Sequence, residues 1–433
     1  MLAVARLELD DRSTQRYTFA LTGQPLAPAE GGAGVWRALM AAIAQGRTIP
    51  AARANADAAG GPAGPIRAAL VCRPAAALRA LVPDGDGPVT ALSERALGAD
   101  QSNTSVVLGD RILVKAYRRL ETGLNPELEL VAFLTEVADF RPVPPLLGYA
   151  EVVSATTGAA TVAIAQAFVA DGTDAFETIA EQLAGWLSAP GEVSVEFATE
   201  VAADLGSLTA GMHAALGDAR GVAEFEPRLA TRDELRSWGR TAQRQLVRAL
   251  DVTPGDAGRV LRALAPAISA EVTVFEALAA APLLSRVHGD YHLGQVLIAN
   301  DGYRVVDFEG EPSRPLEDRR AHGSPLRDVA SMLRSLDHVA RSAARRATAH
   351  NGGPIDRPGL DLEAWLRRAH ERFLEAYRAG LREAGSPIEL DPALVRAFEI
   401  EKETYEFIYA STYLPSWLYA PTEGMRWLFD PSA

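Results

Sequence analysis

The segment 285–311 constrains the fold more than any other part of the chain. A polar loop is followed there by the apolar run Val296–Ile298, the turn signal Asn300–Gly302 and a second apolar run that leads to Asp307. An Asp-Gly pair between two apolar runs is typical of a tight β-hairpin. The sequence therefore predicts two polar loops joined by one short hairpin, a pattern typical of phosphotransferases.

The polar residues of this segment match the chemistry of phosphoryl transfer. An attacking hydroxyl needs a carboxylate that orients it and accepts its proton, and the triphosphate needs Mg²⁺ held by oxygen ligands. Asp290 is predicted to be the catalytic carboxylate, and Gln295, five residues later, is predicted to offer a metal-binding carbonyl oxygen. Asp307 is expected to be the main Mg²⁺ ligand at the end of a strand. Glu309 is expected on the same face, as a ligand of a second metal or of the acceptor.

Each of these residues taken alone has a more ordinary explanation. An Asp, Gln or His in a loop is most often a helix cap or a solvated polar group. The prediction therefore depends on the order of Asp290, Gln295 and Asp307 between the two apolar runs. His288 is expected to hold the loop through hydrogen bonds to backbone rather than to transfer protons. Asp328, close to a predicted helix start, is expected to anchor the same loop.

The motifs around these residues resemble a known family. His-Gly-Asp-Tyr-His-Leu-Gly-Gln at 288–295, Asp-Phe-Glu-Gly-Glu-Pro at 307–312 and the stretch 318–335 resemble the bacterial maltokinases and the maltokinase-like glucosamine kinases. Both groups belong to the aminoglycoside-phosphotransferase-like branch of the eukaryotic-type kinase fold. The resemblance is specific over residues 285–340, extends upstream to about Thr104 and is weak at both ends.

This resemblance implies an α+β, bilobed, protein-kinase-like fold with an N-terminal cap subdomain and a mainly helical C-lobe. It also implies ATP and Mg²⁺ as cofactors and a sugar as the phosphoryl acceptor. Three domains are expected: the cap, residues 1–90; an intermediate ATP-binding lobe, residues 91–175; and a C-lobe with the catalytic and sugar-acceptor site, residues 176–433.

A second hairpin is predicted upstream, over Ser105–Leu108 and residues 111–117. Its second strand carries Lys115 among apolar residues, and a lysine there can reach the α- and β-phosphates. Glu129, with Glu127 as the second choice, is expected to hold this lysine from a helix that begins after the N-cap residue Asn125. A surface lysine at a strand edge is the alternative explanation.

Two further elements are predicted to contact the nucleotide. The turn before the hairpin lacks a glycine-rich pattern, so hydroxyls and backbone amides, including those of Ser102 and Ser105, are expected to contact the phosphates. A later apolar strand is interpreted as the hinge, with Gln166 as gatekeeper and the backbone of Ala167 and Val169 facing adenine. An ordinary buried strand followed by a polar turn would have the same composition.

The rest of the chain is predicted to be mainly helical. Apolar residues recur at a helical period in seven segments. These segments are Ala175–Leu187, Ser194–Leu216, Arg232–Leu250, Ala257–Ala280, Pro325–Ala349, Leu362–Ala384 and Pro392–Ser411. His213 is expected to be a core residue of its helix.

The acceptor site is predicted from a C-terminal stretch that gathers aromatic residues beside carboxylates. Sugar rings stack on aromatic faces, and their hydroxyls need buried polar partners. The residues predicted to contact the acceptor are His292, Glu311, Tyr405, Glu406, Tyr409 and Trp417. The same aromatic residues would also serve to pack a C-terminal helix on its lobe.

The favoured acceptor is glucosamine, phosphorylated on its 6-hydroxyl. Where maltokinases are expected to carry a second acid, a basic pair and an apolar run, this chain has Ala410, Tyr413–Pro415 and Tyr419–Pro421. An ammonium group in a pocket of low dielectric needs a carboxylate partner, and Glu309, Glu311 and Glu406 are the candidates.

Three other functions are considered. These are a maltokinase that forms maltose 1-phosphate, an aminoglycoside-resistance phosphotransferase and a nucleotide-binding pseudokinase or interaction protein. The pseudokinase is disfavoured because Lys115, Asp290, Gln295 and Asp307 are all present.

Composition is consistent with a cytoplasmic enzyme. With 433 residues, of which 48% are hydrophobic, the chain can bury a large core. The net charge of −13 argues against nucleic acid and anionic membranes as partners. The single cysteine, Cys72, excludes an internal disulfide, and no secretory signal or membrane helix is expected. We expect a monomer or a weak homodimer.

Overall fold

The computed structural model describes residues 1–8, 14–22, 27–28, 32–51, 68–81, 89–98, 103–188, 195–351 and 362–430. The chain forms two compact units. The first comprises Met1–Gly172 with Pro312–Arg319, and the second comprises Thr173–Glu311 with Arg320–Ala433. The three-domain division proposed from the sequence stays a prediction. Within the described ranges, no helix is both long and apolar enough to cross a membrane.

The first unit is built mainly of antiparallel strands. Its strands are β1 (Leu2–Glu8), β2 (Thr14–Thr22), β3 (Ala27–Pro28), β4 (Thr48–Pro50), β5 (Ala68–Pro74), β6 (Glu94–Ala96), β7 (Thr104–Leu108), β8 (Ile112–Ala116), β9 (Arg119–Leu120), β10 (Leu146–Ser154) and β11 (Gly158–Ala167). Its helices are α1 (Val35–Ala44), α2 (Leu78–Leu81) and α3 (Pro126–Ala132). One seven-stranded sheet has the order β4-β5-β10-β11-β8-β7-β6, and a smaller sheet contains β1, β2, β3 and β9.

Local sequence signals explain these elements. The hairpin predicted between β7 and β8 is confirmed, and its register places Ser105 opposite Lys115. The predicted cap of α3 is confirmed too, because the Asn125 side chain accepts the N–H groups of Glu127 and Leu128 at 2.8 and 3.3 Å. Alternate residues of the central strands then pack against α1 in one core. That core includes Trp36, Leu39, Ile43, Val106, Ile112, Val114, Ala163 and Ala165.

The second unit is mainly helical. Its helices are α4 (Ala175–Ser188), α5 (Val195–Leu216), α6 (Arg232–Val252), α7 (Gly255–Glu271), α8 (Val274–Ala277), α10 (Pro325–Asn351), α11 (Leu362–Glu383), α12 (Pro392–Tyr413) and α13 (Tyr419–Phe429), while α9 (Leu316–Arg320) includes a boundary of the two units. Its strands are β12 (Thr173–Asp174), β13 (Arg228–Leu229), β14 (Leu283–Leu284), β15 (Val296–Ala299) and β16 (Gly302–Val305). β12, β15 and β16 form one sheet, and β13 pairs with β14.

Two of the helical segments differ from the prediction. The helix predicted over Ala257–Ala280 is divided into α7 and α8. The β-branched residues Val272 and Thr273 follow the end of α7, and the N–H of Thr273 donates to the carbonyl of Ala270, three residues back rather than four. Helix α13 was not predicted, since it contains a proline and a glycine. Pro421 lies in its first turn, where the missing N–H costs no hydrogen bond.

A network of buried charged side chains joins α10 to α12. Arg334 Nε donates to Glu399 at 3.2 Å, and His338 Nε2 contacts Glu403 at 3.2 Å. Burial opposes the charge on His338, but the neighbouring Glu403 raises the pKa of this imidazole above its usual value. Asp337, His338 and Glu403 are close enough to hold a metal ion. Arg334 ion pairs with Asp337 and Glu403, so the cluster already contains its counter-charges.

Candidate active site

Hydrogen bonds to Asp328 hold the backbone of the Asp290 loop, residues 285–292. The N–H groups of His288 and Gly289 donate to Asp328 Oδ2 and Oδ1 at 2.8 and 3.0 Å. Gly289 has a φ of 83°, and a Cβ there would lie 3.5 Å from Gly310 Cα. Glycine adopts this left-handed conformation at little cost. The predicted anchoring role of Asp328 is confirmed.

Asp328 is in turn supported by a buried histidine. His213 Nε2 lies 3.3 Å from Asp328 Oδ2, and His213 Nδ1 lies 2.9 Å from the hydroxyl of Tyr377. Burial alone would raise the pKa of Asp328, but the hydrogen bond and charge interaction with His213 hold that pKa below its usual value. His213 is buried in the core, as predicted. It also supports the loop, which the sequence analysis did not predict.

His288 holds the same loop to the neighbouring hairpin. Its Nε2 lies 3.0 Å from the carbonyl of Val306, so Nε2 carries the proton and donates. Its Nδ1 is then the acceptor for the N–H of Asp290, at 3.4 Å. The predicted role of His288, bonding backbone to hold the loop, is confirmed. The backbone of Asp290 is therefore fixed from two sides.

The Asp307 loop, residues 306–311, follows β16. Asp307 has a φ of 63°, and Gln295 Nε2 donates to its Oδ2 at 3.4 Å. Ligand atoms of Asp307 and Glu309 lie within 4.8 Å of each other. The strand ends at Val305, two residues earlier than predicted, so strand alternation does not explain the position of Glu309. The left-handed backbone of Asp307 ends the strand, and the turn after it brings Glu309 close.

Lys402 on α12 lies beside the Asp290 carboxylate, and the sequence analysis missed it. Its Nζ is 3.7 Å from Asp290 Oδ1, 3.2 Å from Glu406 Oε1 and 5.2 Å from the centre of the Tyr405 ring. Burial opposes the charge, but Glu406 and Asp290 raise the pKa of Lys402 above its usual value. The four-residue spacing of Lys402 and Glu406 was the available signal, because such pairs meet on one helix face.

The residues predicted to contact the acceptor fall into two groups. The first group interacts with Lys402. Its ammonium group contacts Glu406 and the ring of Tyr405, and it interacts electrostatically with His292 and Glu311. Burial lowers the pKa of His292, and its Nδ1 accepts the N–H of Gly294 at 3.1 Å.

The second group lies further along the chain and contacts other aromatic residues. Tyr409 is 42% exposed, with its ring centre 6.5 Å from that of Tyr405. Trp417 packs against Phe176 and His338, with ring centres 6.1 and 6.0 Å away.

In the first unit, Lys115 makes an ion pair with α3. Its Nζ lies 2.8 Å from Glu127 Oε2, and the hydroxyl of Tyr117 donates to the same oxygen at 2.7 Å. The second choice, Glu127, therefore makes this pair, and the predicted role of Glu129 stays a prediction.

The other predicted nucleotide contacts are only partly described. Ser105 shares a sheet face with Lys115, while Ser102 lies outside the described residues. Gln166 is buried at the end of β11, and its Nε2 donates to the carbonyl of Pro144 at 3.2 Å. Ala167 donates its N–H to the carbonyl of Pro145 at 3.0 Å. The expectation that the backbone of Ala167 and Val169 faces adenine stays a prediction.

Glucosamine kinases are among the known proteins that are similar to this chain. A glucosamine kinase of Streptacidiphilus jiangxiensis is 34% identical over 343 residues, which are 78% of this chain and 73% of that protein. A glucosamine kinase of Mycolicibacterium smegmatis is 30% identical over 341 residues, 79% of this chain and 81% of that protein. A solved glucosamine kinase in complex with glucosamine, ADP and inorganic phosphate has a TM-score of 0.72 and 29% identity, covering 98% of this chain and 90% of that one.

These similarities confirm the predicted fold class, an α+β kinase fold with a mainly helical C-terminal part. A family model described as the phosphotransferase enzyme family, APH, matches residues 93–369. The match includes both the strand that carries Lys115 and the loops that carry Asp290 and Asp307. The chain therefore belongs to the APH phosphotransferase enzyme family.

Proposed function

We propose that this phosphotransferase is an ATP- and Mg²⁺-dependent kinase that converts glucosamine to glucosamine 6-phosphate. The observation that carries the proposal is the similarity to glucosamine kinases over nearly the whole chain, including a structure with bound glucosamine and ADP that covers 98% of it. The loops in the second unit supply side chains of the types that phosphoryl transfer to a sugar requires.

Asp290 is proposed to be the general base. The 6-hydroxyl oxygen of the sugar forms a bond to the γ-phosphorus, and the bond from that phosphorus to the bridging oxygen of ADP breaks. ADP leaves with the bonding electron pair, and Asp290 accepts the hydroxyl proton and releases it to solvent. The backbone bonds through His288 and Asp328 support this role, because they hold the loop in one conformation before the substrate binds.

Asp307, Gln295 and Glu309 are proposed to bind Mg²⁺. The residues fit this ion, because a carboxylate and an amide oxygen are hard ligands and the Gln295 amide already faces Asp307 at 3.4 Å. Rotation of that amide by half a turn presents its oxygen in place of its nitrogen. Mg²⁺, when bound, neutralises negative charge on the phosphate oxygens.

Lys115 is proposed to bind the nucleotide phosphates. Glu127 and Tyr117 hold its position through one shared carboxylate oxygen. Ser105 shares the sheet face of Lys115 and is proposed to contact the same phosphates, together with Ser102. Gln166 and the backbone of Ala167 and Val169 are proposed to border the adenine.

Glu406 is proposed to recognise the ammonium group of the sugar, and Glu311 is the second candidate. The neighbouring charge of Lys402 outweighs the effect of burial and lowers the pKa of Glu406, so it is ionised at neutral pH. Tyr405, Tyr409 and Trp417 are proposed to border the sugar ring. A cytoplasmic location and a monomeric or weakly dimeric state stay predictions.

The direct test is an assay of ADP release with glucosamine, glucose and maltose at equal concentrations. We expect glucosamine to have the highest kcat/KM, and the product to show phosphorus coupled to the C6 protons by nuclear magnetic resonance. Efficient 1-phosphorylation of maltose without turnover of glucosamine would overturn the proposed acceptor. Absence of ADP release with every sugar would instead support a pseudokinase.

A further inference from the structure

We propose that Lys402 is a positioning residue that links the catalytic carboxylate to the acceptor-binding carboxylate and adjusts the preference for a cationic sugar. The inference rests on the proposed function. It starts from one ammonium group, Lys402 Nζ, that lies between two carboxylates at 3.7 Å from Asp290 and 3.2 Å from Glu406.

The first consequence concerns the orientation of Asp290. Its backbone N–H is directed to His288, and its side chain contacts Lys402 through Oδ1. An ion pair through one oxygen leaves the other, Oδ2, to face the acceptor hydroxyl. A displacement of about 1 Å in a catalytic group can cost roughly 10²-fold in rate, so a cation that fixes this rotation matters for turnover.

The second consequence concerns charge. Asp290, Glu406 and Glu311 all act on Lys402, so three carboxylates share this lysine. Lys402, when protonated, lowers the negative charge beside Glu406 by one unit. Charges removed from water need partners, so loss of this lysine favours a cationic acceptor over a neutral one.

Lys402 also competes with that acceptor. Its Nζ lies at Glu406, the carboxylate proposed to bind the sugar ammonium, so the two cations must share or exchange this partner. The ring of Tyr405, 5.2 Å from Nζ, offers the lysine a second favourable contact. The lysine therefore limits the affinity for aminosugars while it keeps Asp290 in place.

The test compares Lys402→Met and Lys402→Arg with the unaltered protein, using glucosamine and glucose as acceptors. Lys402→Met should lower kcat for both sugars by roughly 10²-fold, because Asp290 loses its orienting partner. The same variant should raise the ratio of kcat/KM for glucosamine over glucose by roughly 10-fold, because the site gains one unit of net negative charge. If glucose turns over too slowly for kcat to be measured, the inhibition constant of glucose is compared with the KM of glucosamine in each variant.

Arg396→Met is the matched control. It removes a cation from the same helix, where Arg396 pairs with Glu271 and packs over Phe429, and it should change neither kcat nor the ratio. Thermal unfolding checks that each variant folds. Lys402→Arg retains the charge and should retain the ratio, which decides the matter if Lys402→Met does not fold.

Three results bear on the proposal. Lys402→Met with unchanged kcat and unchanged ratio would overturn it. A lost preference for glucosamine in a folded Lys402→Arg variant would overturn the charge argument. Failure of the unaltered protein to phosphorylate glucosamine is a separate result, which would contradict the proposed function before any variant is measured.

Discussion

At the residue scale, the backbone conformation of Asp307 is the most specific feature of the site. Few residues other than glycine adopt a φ of 63°, and aspartate and asparagine are the most tolerant of them. This conformation ends β16 and turns the carboxylate towards Gln295. Strained backbone of this kind typically costs about 1–3 kcal/mol and persists where the surrounding structure enforces it.

Asp307→Asn should abolish the Mg²⁺-dependent part of ATP affinity. Asparagine tolerates the same φ, so the variant changes the charge and spares the backbone. Calorimetric titration with ATP in the presence of Mg²⁺ should show weak binding, whereas titration in a chelator should match the unaltered protein. Asp301→Asn, on the exposed turn before β16, is the control and should behave normally. Unchanged affinity for MgATP in Asp307→Asn would remove Asp307 from the metal site.

Asp290→Asn should lower kcat by roughly 10²–10⁴-fold, the usual size of a general-base contribution. The amide can still accept the hydrogen bond but cannot take up the proton. Nucleotide affinity should be retained, because the proposed phosphate and metal ligands are other residues. Turnover is measured by ADP release with saturating glucosamine, and near-normal turnover would exclude Asp290 as the base.

At the scale of elements, the start of α10 determines the geometry of the Asp290 loop. Asp328 lies in the first turns of this helix, accepts two loop N–H groups and contacts His213 on α5. Two helices therefore fix a loop that has no regular secondary structure of its own. The carboxylate is buried and ionised, so it is effective only while it keeps its charge.

Asp328→Asn should destabilise the protein by about 3 kcal/mol at neutral pH, the cost of removing one partner from a buried charged network. The pKa of Asp328 is lowered in the folded state, so its stabilisation is present above its unfolded pKa, about 4, and is lost as pH falls through the folded pKa. The stability difference between variant and unaltered protein should therefore shrink below about pH 4.

Urea unfolding at pH 7, 4 and 3 measures this difference. Asp233→Asn, which removes an exposed carboxylate from α6, should cost little at each pH. A stability difference for Asp328→Asn that grows on acidification would contradict the assignment of an ionised anchor.

At the scale of the whole molecule, the chain enters the first unit twice. Residues 312–319 belong to that unit, although the residues on either side belong to the second. This segment follows directly after the Asp307 loop. Because it interrupts the second unit, the two units are not two consecutive pieces of sequence. A cut at Gly172 would leave the first unit without these residues.

The net charge of −13 is a further property of the whole chain. A negative overall charge attracts cations over distances of about one Debye length, roughly 8 Å at physiological salt. This charge is consistent with an aminosugar acceptor.

The sequence by itself determined many of the elements and the order of the proposed catalytic residues. The β15–β16 hairpin, the cap at Asn125 and the long amphipathic helices follow from signals within a few residues of one another, because turns, caps and helical periods are local properties. The positions of Asp290, Gln295 and Asp307 were predicted for the same reason, since their motifs are contiguous.

Only the tertiary structure decided which distant side chains meet. The pair of Lys115 with Glu127, the support of Asp328 by His213, and the position of Lys402 between Asp290 and Glu406 depend on contacts between separate elements. Local patterns give each residue a helix face or strand position but not the partner opposite it. That partner is set by how helices and strands pack, which is a property of the folded chain.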